Sequence, residues 1–274
     1  SAVSGLTSTG VYVGGTLSAN VGAGSNFNIT QSETVNANAT AVGVNLIGTI
    51  NLSGGGDLNI NATTNVNYTY AIYVNGLNAT VSAGNMTITA AVTNPNTTTI
   101  NAQTNIIATV AAGSNLNITG SNANTRVGIL LSNNVTLSGG GALTFNGISS
   151  GGVGLYLNTS NVTVNAGILS LNGTTTSSQV SAHGIEFTGL INTTVKAGAY
   201  LNFTGKSTSA NSGTGIFFWA PGGINLLAGG GGDVNVVGIA QCTTGLGLGN
   251  GNSVNLSVLS GNMTLSGSST FTNT

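Results

Sequence analysis

The chain has 274 residues, of which three are Lys or Arg and four are Asp or Glu, so 3% carries charge and the net charge is −1. Against about 25% charge in ordinary domains, this excludes the basic footprint of nucleic-acid binding or of an anionic membrane patch. One cysteine, Cys242, excludes a disulfide framework or a cysteine-built metal site, and no apolar run reaches the ~18 residues of a membrane-inserted span.

Along the chain, a motif of Gly or a substitute, apolar, any residue, apolar recurs nine times. It reads "GVYV" from Gly10, "GVNL" from Gly43, "AIYV" from Ala71, "TINA" from Thr99 and "GILL" from Gly128. It continues as "GLYL" from Gly154, "GIEF" from Gly184, "GIFF" from Gly215 and "GLGL" from Gly245. The mean spacing of roughly 29 residues falls in the range of solenoid repeats. After each copy comes a second alternating stretch, such as "INLSG", "ATVSA" or "VTLSG", and then a third, such as "LNIN", "MTIT" or "LTFN". Strict alternation over four to six residues predicts half-buried strands, and glycine with Ser/Asn clusters predicts the corners between them. The runs "GGGD" at 54–57 and "GGGGD" at 229–233 are read as tight turns, being neither tandem nor followed by a helix.

Three short strands with one dry face each cannot close a core alone. Stacked coil on coil they predict an all-β, right-handed parallel β-helix of about nine three-strand coils, a rod of roughly 43 Å at ~4.8 Å per coil. Residues 1–274 are then a single β-helix repeat domain. Because "MTLSGSSTFTNT" brings neither a capping helix nor a charged edge, flanking coils of a longer chain are expected, with head-to-tail copies as the alternative.

The strands "GNMTITA", "SNLNITG" and "GNMTLSG", the "GVNL"-type strand and the Asn/Thr/Gly/Ser composition resemble the stalks of filamentous haemagglutinin and high-molecular-weight adhesin-type bacterial exoproteins of two-partner secretion. The resemblance covers essentially the whole chain and implies an extracellular or cell-surface adhesin stalk. In that family a separate amino-terminal domain carries NPN motifs; here Asn94-Pro95-Asn96 lies within the repeats and is read as a corner.

N-x-S/T triplets occur 17 times. Side chains at i and i+2 share a strand face, so a wet face of Asn and Thr generates them automatically. Placement selects among them: Asn78, Asn134, Asn161 and Asn192 open second strands and are expected to line one edge, exposed as N-glycosylation requires. Asn28, Asn117 and Asn202, on third strands, are further candidates, and the resemblance implies sugars on such asparagines.

Glycosidic cleavage needs two carboxyls about 5–9.5 Å apart. Asp57 and Asp233 open equivalent third strands six coils apart, roughly 29 Å, while Glu33 lies in a corner and Glu186 on another face. His183 lacks Ser or Cys partners, and His183, Glu186 and Lys196 are the nearest approach to a polar site. No catalytic residue, metal site or cofactor is expected. Tyr12, Tyr73, Tyr156 and Phe217 share the middle position of the first strand, with Trp219 nearby, and are candidate contact aromatics for a sugar ring or another protein. The expected function is a non-enzymatic adhesin stalk meeting a receptor or glycan on a host or neighbouring cell. The alternatives are a flat-faced carbohydrate or ice binder, although only Thr87-Ile88-Thr89 gives T-x-T among the third strands, and a surface-filament subunit.

Overall fold

The computed structural model describes residues 7–33, 40–65, 70–93, 98–124, 127–158, 160–177, 182–189, 191–209, 213–219, 224–228, 230–241, 244–248 and 254–270. Cys242, the Asn94-Pro95-Asn96 turn and the triplets at Asn38 and Asn67 lie outside the described residues. All described regular structure is strand, and every strand–strand pairing is parallel. The chain is a parallel β-solenoid with repeats about 29 residues apart, as the periodicity predicts.

Third strands form one nine-stranded sheet, from Asn26–Glu33 through Asp57–Thr64, Asn85–Val92, Asn115–Asn122, Ala142–Ser149, Ile168–Thr175, Tyr200–Ser207 and Asp233–Ala240 to Met263–Ser269. Each is one rung above the last. First and second strands make two further ladders, joined where the long strands Thr40–Ser53 and Tyr70–Val81 run through both positions. The odd residues of one rung stack on those of the next, so alternation along a strand becomes columns along the rod. Leu58, Met86, Leu116, Leu143, Leu169, Leu201 and Val234 form one inward column, all completely buried. Each buried side chain of this size is worth about 1.5–3 kcal/mol. Phe187 adds aromatic packing, stacked on Phe218 at 4.6 Å and edge-on to Phe203 at 5.3 Å.

The recurring glycine of the first strand has a steric cause. Gly147, Gly173, Gly205 and Gly238 stand in register in the third-strand sheet, facing Gly154, Gly184, Gly215 and Gly245 of the first. A Cβ on any of the former four would collide with the carbonyl oxygen of its opposite number. Main chain therefore packs on main chain along this edge, which glycine alone permits. In the second and third rungs the third-strand column is alanine, at Ala62 and Ala90.

The corner between second and third strands cycles through three forms. Rungs 1, 4 and 7 turn through "VGAGSNF" (21–27), "VAAGSNL" (110–116) and "VKAGAYL" (195–201). In these the N–H of Ser25, Ser114 and Ala199 donates back to the carbonyl of Gly22, Ala111 and Lys196 at 2.9–3.0 Å. Rungs 2, 5 and 8 use the glycine-run corners 52–58, 137–143 and, among the described residues, 230–234. There Gly56, Gly141 and Gly232 N–H reach the carbonyls of Val21, Val110 and Val195 in the rung before. Rungs 3, 6 and 9 take the shorter turns 81–86, 164–169 and 258–263, with Gly84, Gly167 and Gly261 at φ of 84°, 86° and 88°. A Cβ on these three would strike the carbonyl of Gly56, Gly141 and Gly232 respectively. The cycle then restarts: Ala111 and Lys196 N–H donate to the carbonyls of Val81 and Val164 at 2.8 and 2.9 Å.

Candidate functional site

The outward columns carry whatever chemistry the rod offers, and asparagine dominates them. Asn161 donates to Asn134 Oδ1 through its backbone N–H at 3.0 Å and its Nδ2 at 2.8 Å. Asn192 Nδ2 donates to Asn161 Oδ1 at 3.1 Å. By register the column continues to Asn225 and Asn255. Asn78 stands elsewhere. It pairs with Ile107, which pairs with Thr136, so Asn78 belongs two residues along, in the threonine column of Thr136, Thr163 and Thr194. The offset arises at the fifth rung, where Leu137, the residue that opens the glycine-run corner, pairs with Ala108, whereas Val81 pairs with Val110, so the same triplet, three residues before its corner in both rungs, stands two places along without changing face. Asn78 is exposed, and its rung neighbours Thr49 and Ile107 are not asparagine.

Asn28, Asn117 and Asn202 occupy one column of the third-strand sheet. Asn59 Nδ2 donates to Asn28 Oδ1 at 2.9 Å, and Asn235 Nδ2 to Asn202 Oδ1 at 3.0 Å. Asn28 is exposed; Asn117 and Asn202 are half-buried.

The aspartates belong to the same rung-to-rung bonding. Asp57 Oδ1 accepts from the N–H and Nδ2 of Asn85 at 3.2 and 3.0 Å, and Asp233 Oδ1 accepts from those of Asn262 at 3.1 and 2.9 Å. Asn134 receives Asn161 in the same way, so carboxylate and amide do identical work here. Asp57 and Asp233 lie six rungs apart, about 29 Å. Among the described residues no three His, Cys, Asp or Glu side chains gather as a metal site would need.

The first-strand face differs. Its outward column runs Tyr12, Asn45, Tyr73, Asn101, Leu130, Tyr156, Glu186, Phe217, Gly247. Register thus unites the four candidate aromatics. Tyr12 is 63% exposed, whereas Tyr73 is half-buried, stacked on Tyr70 and donating its hydroxyl to Gln103 at 3.0 Å. Trp219 is 46% exposed and tilts against Phe217 at 5.9 Å. His183 stacks on Phe217 at 4.4 Å, buried, its Nδ1 without a hydrogen-bond partner. Burial lowers the His183 pKa to about 4 and raises that of Glu186, half-buried between Tyr156 and Phe217, to about 7. Lys196 is not part of this cluster: it is exposed at the seventh-rung corner, on the far side of the second strand.

On the second face an open groove of about 480 Å³ is lined by Gly76, Asn78, Thr104, Asn105, Ile107 and Asn133, with no titratable side chain. The sequence reading missed Gln103, the corner cycle and the shift of Asn78. Gln103 follows only from contact and the place of Asn78 only from strand pairing; the corner cycle had a signal in the recurring "AGSN", "SGGG" and "AGN" turns. Comparison of the chain with models of protein families, with curated proteins and with solved structures finds no match.

Proposed function

We propose that the chain is a non-enzymatic stalk of a secreted or cell-surface adhesin of the filamentous haemagglutinin type, holding a binding or delivery domain away from the cell. The observation that carries this reading is the unbroken third-strand ladder, nine rungs long. Its outward asparagines and aspartates are bonded to the next rung rather than aimed at a shared point. A rod bonded in this way transmits position along its axis. Its low charge suits passage through a secretion pore unfolded, with folding outside.

The test places the chain between a cell-surface anchor and a domain of known ligand. Capture of ligand-coated beads rises when the chain is present and again when two copies stand in tandem. Equal capture with and without it removes the stalk reading. Release of reducing sugar from a polysaccharide panel, lost in Glu186→Gln, replaces it with an enzyme.

One observation favours a second reading. The two central outward columns of the third-strand sheet, from Asn28 and Thr30 to Thr264 and Ser266, contain no charged residue. A neutral hydrogen-bonding face of this regularity suits a neutral glycan, and pull-down by insoluble polysaccharide reads it directly.

A further inference from the structure

The groove on the second face has its cause in the register of rungs 3 to 5. Between first and second strands, Val74 and Leu77 enclose two residues, whereas their partners one rung on, Ala102 and Ile106, enclose three. Leu131 and Val135 in the next rung also enclose three. The added residue makes a step at rung 4, and Gly76 leaves the space beside it unfilled. A Cβ there would find only Thr104 Oγ1 within 4 Å, at 3.7 Å, and the φ of 93° disfavours any side chain.

The resulting hollow holds about 480 Å³, inside the range of about 300–1,000 Å³ usual for small-ligand sites. It extends over two rung steps, about 9.6 Å. Its walls are held by the rod itself. Leu77 N–H donates to the Asn105 carbonyl at 3.2 Å, and Ile106 N–H to the Asn134 carbonyl at 2.9 Å. Asn133 Nδ2 donates to the Gln103 carbonyl, while Gln103 N–H donates to the Val74 carbonyl at 3.2 Å and Gln103 Oε1 accepts the Tyr73 hydroxyl. A ligand therefore meets a lining already in place.

The lining chemistry selects the ligand. Asn78, Asn105 and Asn133 bring amides, which donate and accept as sugar hydroxyls do, and no titratable group offers a counter-charge to an ion. Ile107 brings the one apolar side chain, 45% exposed, in a column that otherwise runs Thr16, Thr49, Asn78, Thr136, Thr163, Thr194. A wholly apolar ligand would strip water from the amides without replacing it. A peptide strand would find the N–H groups of Leu77, Gln103 and Ile106 already bonded, with no ladder to join.

We propose that this groove binds a neutral pyranose sugar, with the C–H face of the ring on Ile107 and its hydroxyls bonded by Asn78, Asn105 and Asn133. The site lies on a different face from the neutral third-strand columns, and a bare stalk has no need of it.

The experiment uses the 274-residue chain, shown by intact mass to be unmodified so that no sugar attached at Asn78 supplies the ligand. Its isoleucine δ1-methyl groups are labelled with carbon-13, and Ile107→Val assigns the Ile107 signal. Titration with the methyl glycosides of glucose, galactose and mannose moves that signal saturably with at least one of them. Ile148, Ile168 and Ile239, 38%, 43% and 37% exposed on the third-strand sheet, stay still in the same spectra. Asn78→Ala and Asn105→Ala, both at exposed positions, weaken the binding about threefold or more with an unchanged circular dichroism signal. An Ile107 signal unmoved by all three glycosides overturns the proposal, as does an equal shift with glycerol, which has hydroxyls but no ring face. Shifts at Ile148, Ile168 and Ile239 alone overturn it in favour of the third-strand face. Bead capture by the anchored chain does not depend on the groove, so failure here is separable from failure of the stalk.

Discussion

The corner joining second to third strands and the side of the rod bearing the first strands obey different rules. At the corner, each turn is bonded to the rung before it through backbone groups, and its length stays within one residue across nine rungs. On the first-strand side the connection from the third strand varies freely: Ser149 leads to Leu155 in one rung, and Thr175 to Ile185 in the next. The buried histidine, the half-buried glutamate and the exposed tryptophan all collect on that side. Where main chain meets main chain, composition is fixed by sterics; where loops meet solvent, sequence can vary and unusual side chains accumulate.

The sharpest way to break this contrast is to add volume where main chains touch. Gly167→Val, at a corner φ of 86°, drives a side chain into the Gly141 carbonyl of the rung below, and its expected cost is more than about 4 kcal/mol, read as loss of the cooperative thermal transition. One residue inserted between Ala83 and Gly84 misplaces a φ-positive glycine and is expected to disrupt the third rung comparably. Two serines inserted between Ser177 and Ala182 cost about 1 kcal/mol or less in chemical denaturation, since lengthening a loop costs little.

The irregular side predicts a pH response. Glu186 has a folded pKa of about 7, above its ordinary 4.5, so its contribution is fully present below pH 4.5 and is lost as pH rises toward 7. Glu186→Gln therefore matches the parent at pH 4 and exceeds it at pH 8, by at most about 3 kcal/mol. His183, with a pKa lowered to about 4, acts oppositely: its stability is present above pH 6.5 and is lost as pH falls toward 4. Denaturation midpoints of Glu186→Gln and His183→Gln across this range separate the two, and a flat difference for either removes its burial from the account.

A smaller effect is expected within the asparagine column. Asn161→Ala removes the Nδ2 donor to Asn134 and the Oδ1 acceptor for Asn192 while keeping its backbone N–H bond to Asn134, costing about 1–2 kcal/mol. A double-mutant cycle with Asn192→Ala shows coupling, whereas one with Asn78→Ala shows none, because Asn78 stands in another column. The same separation bears on modification. Asn134, Asn161 and Asn192 hold one another at rung spacing, whereas Asn78 has Thr49 and Ile107 in register at its adjacent rungs, so peptide mass spectrometry of the natively expressed protein should find hexose at Asn78 before the column. The least effect is at Tyr12, whose replacement by alanine shifts stability within about 0.5 kcal/mol, since the ring is largely in water.

Much of the architecture was legible because its cause is local. Alternation in "LNINA" or "MTITA" gives a strand with one dry face, and a repeated spacing makes stacking the economical solution. The aromatic column was legible for the same reason, since Tyr12, Tyr73, Tyr156 and Phe217 hold one place in one motif. Asn78 was misplaced because an N-x-T triplet reads the same after a two-residue slide, and only pairing fixes which residues are neighbours. The burial of His183 depends on Phe217, a rung away, and no spacing within its own strand announces it.

The three-form corner cycle also bears on how the chain finds its fold. A solenoid of near-identical rungs risks pairing a strand with the wrong neighbour, since the apolar columns accept almost any rung. Here a slip by one or two rungs sets a short corner against a corner other than the glycine run whose carbonyl, at Gly56 or Gly141, Gly84 and Gly167 closely approach in the fold. Only a slip of three whole rungs restores every corner bond. The corners therefore act as a parity check on a message whose strands are nearly all the same word.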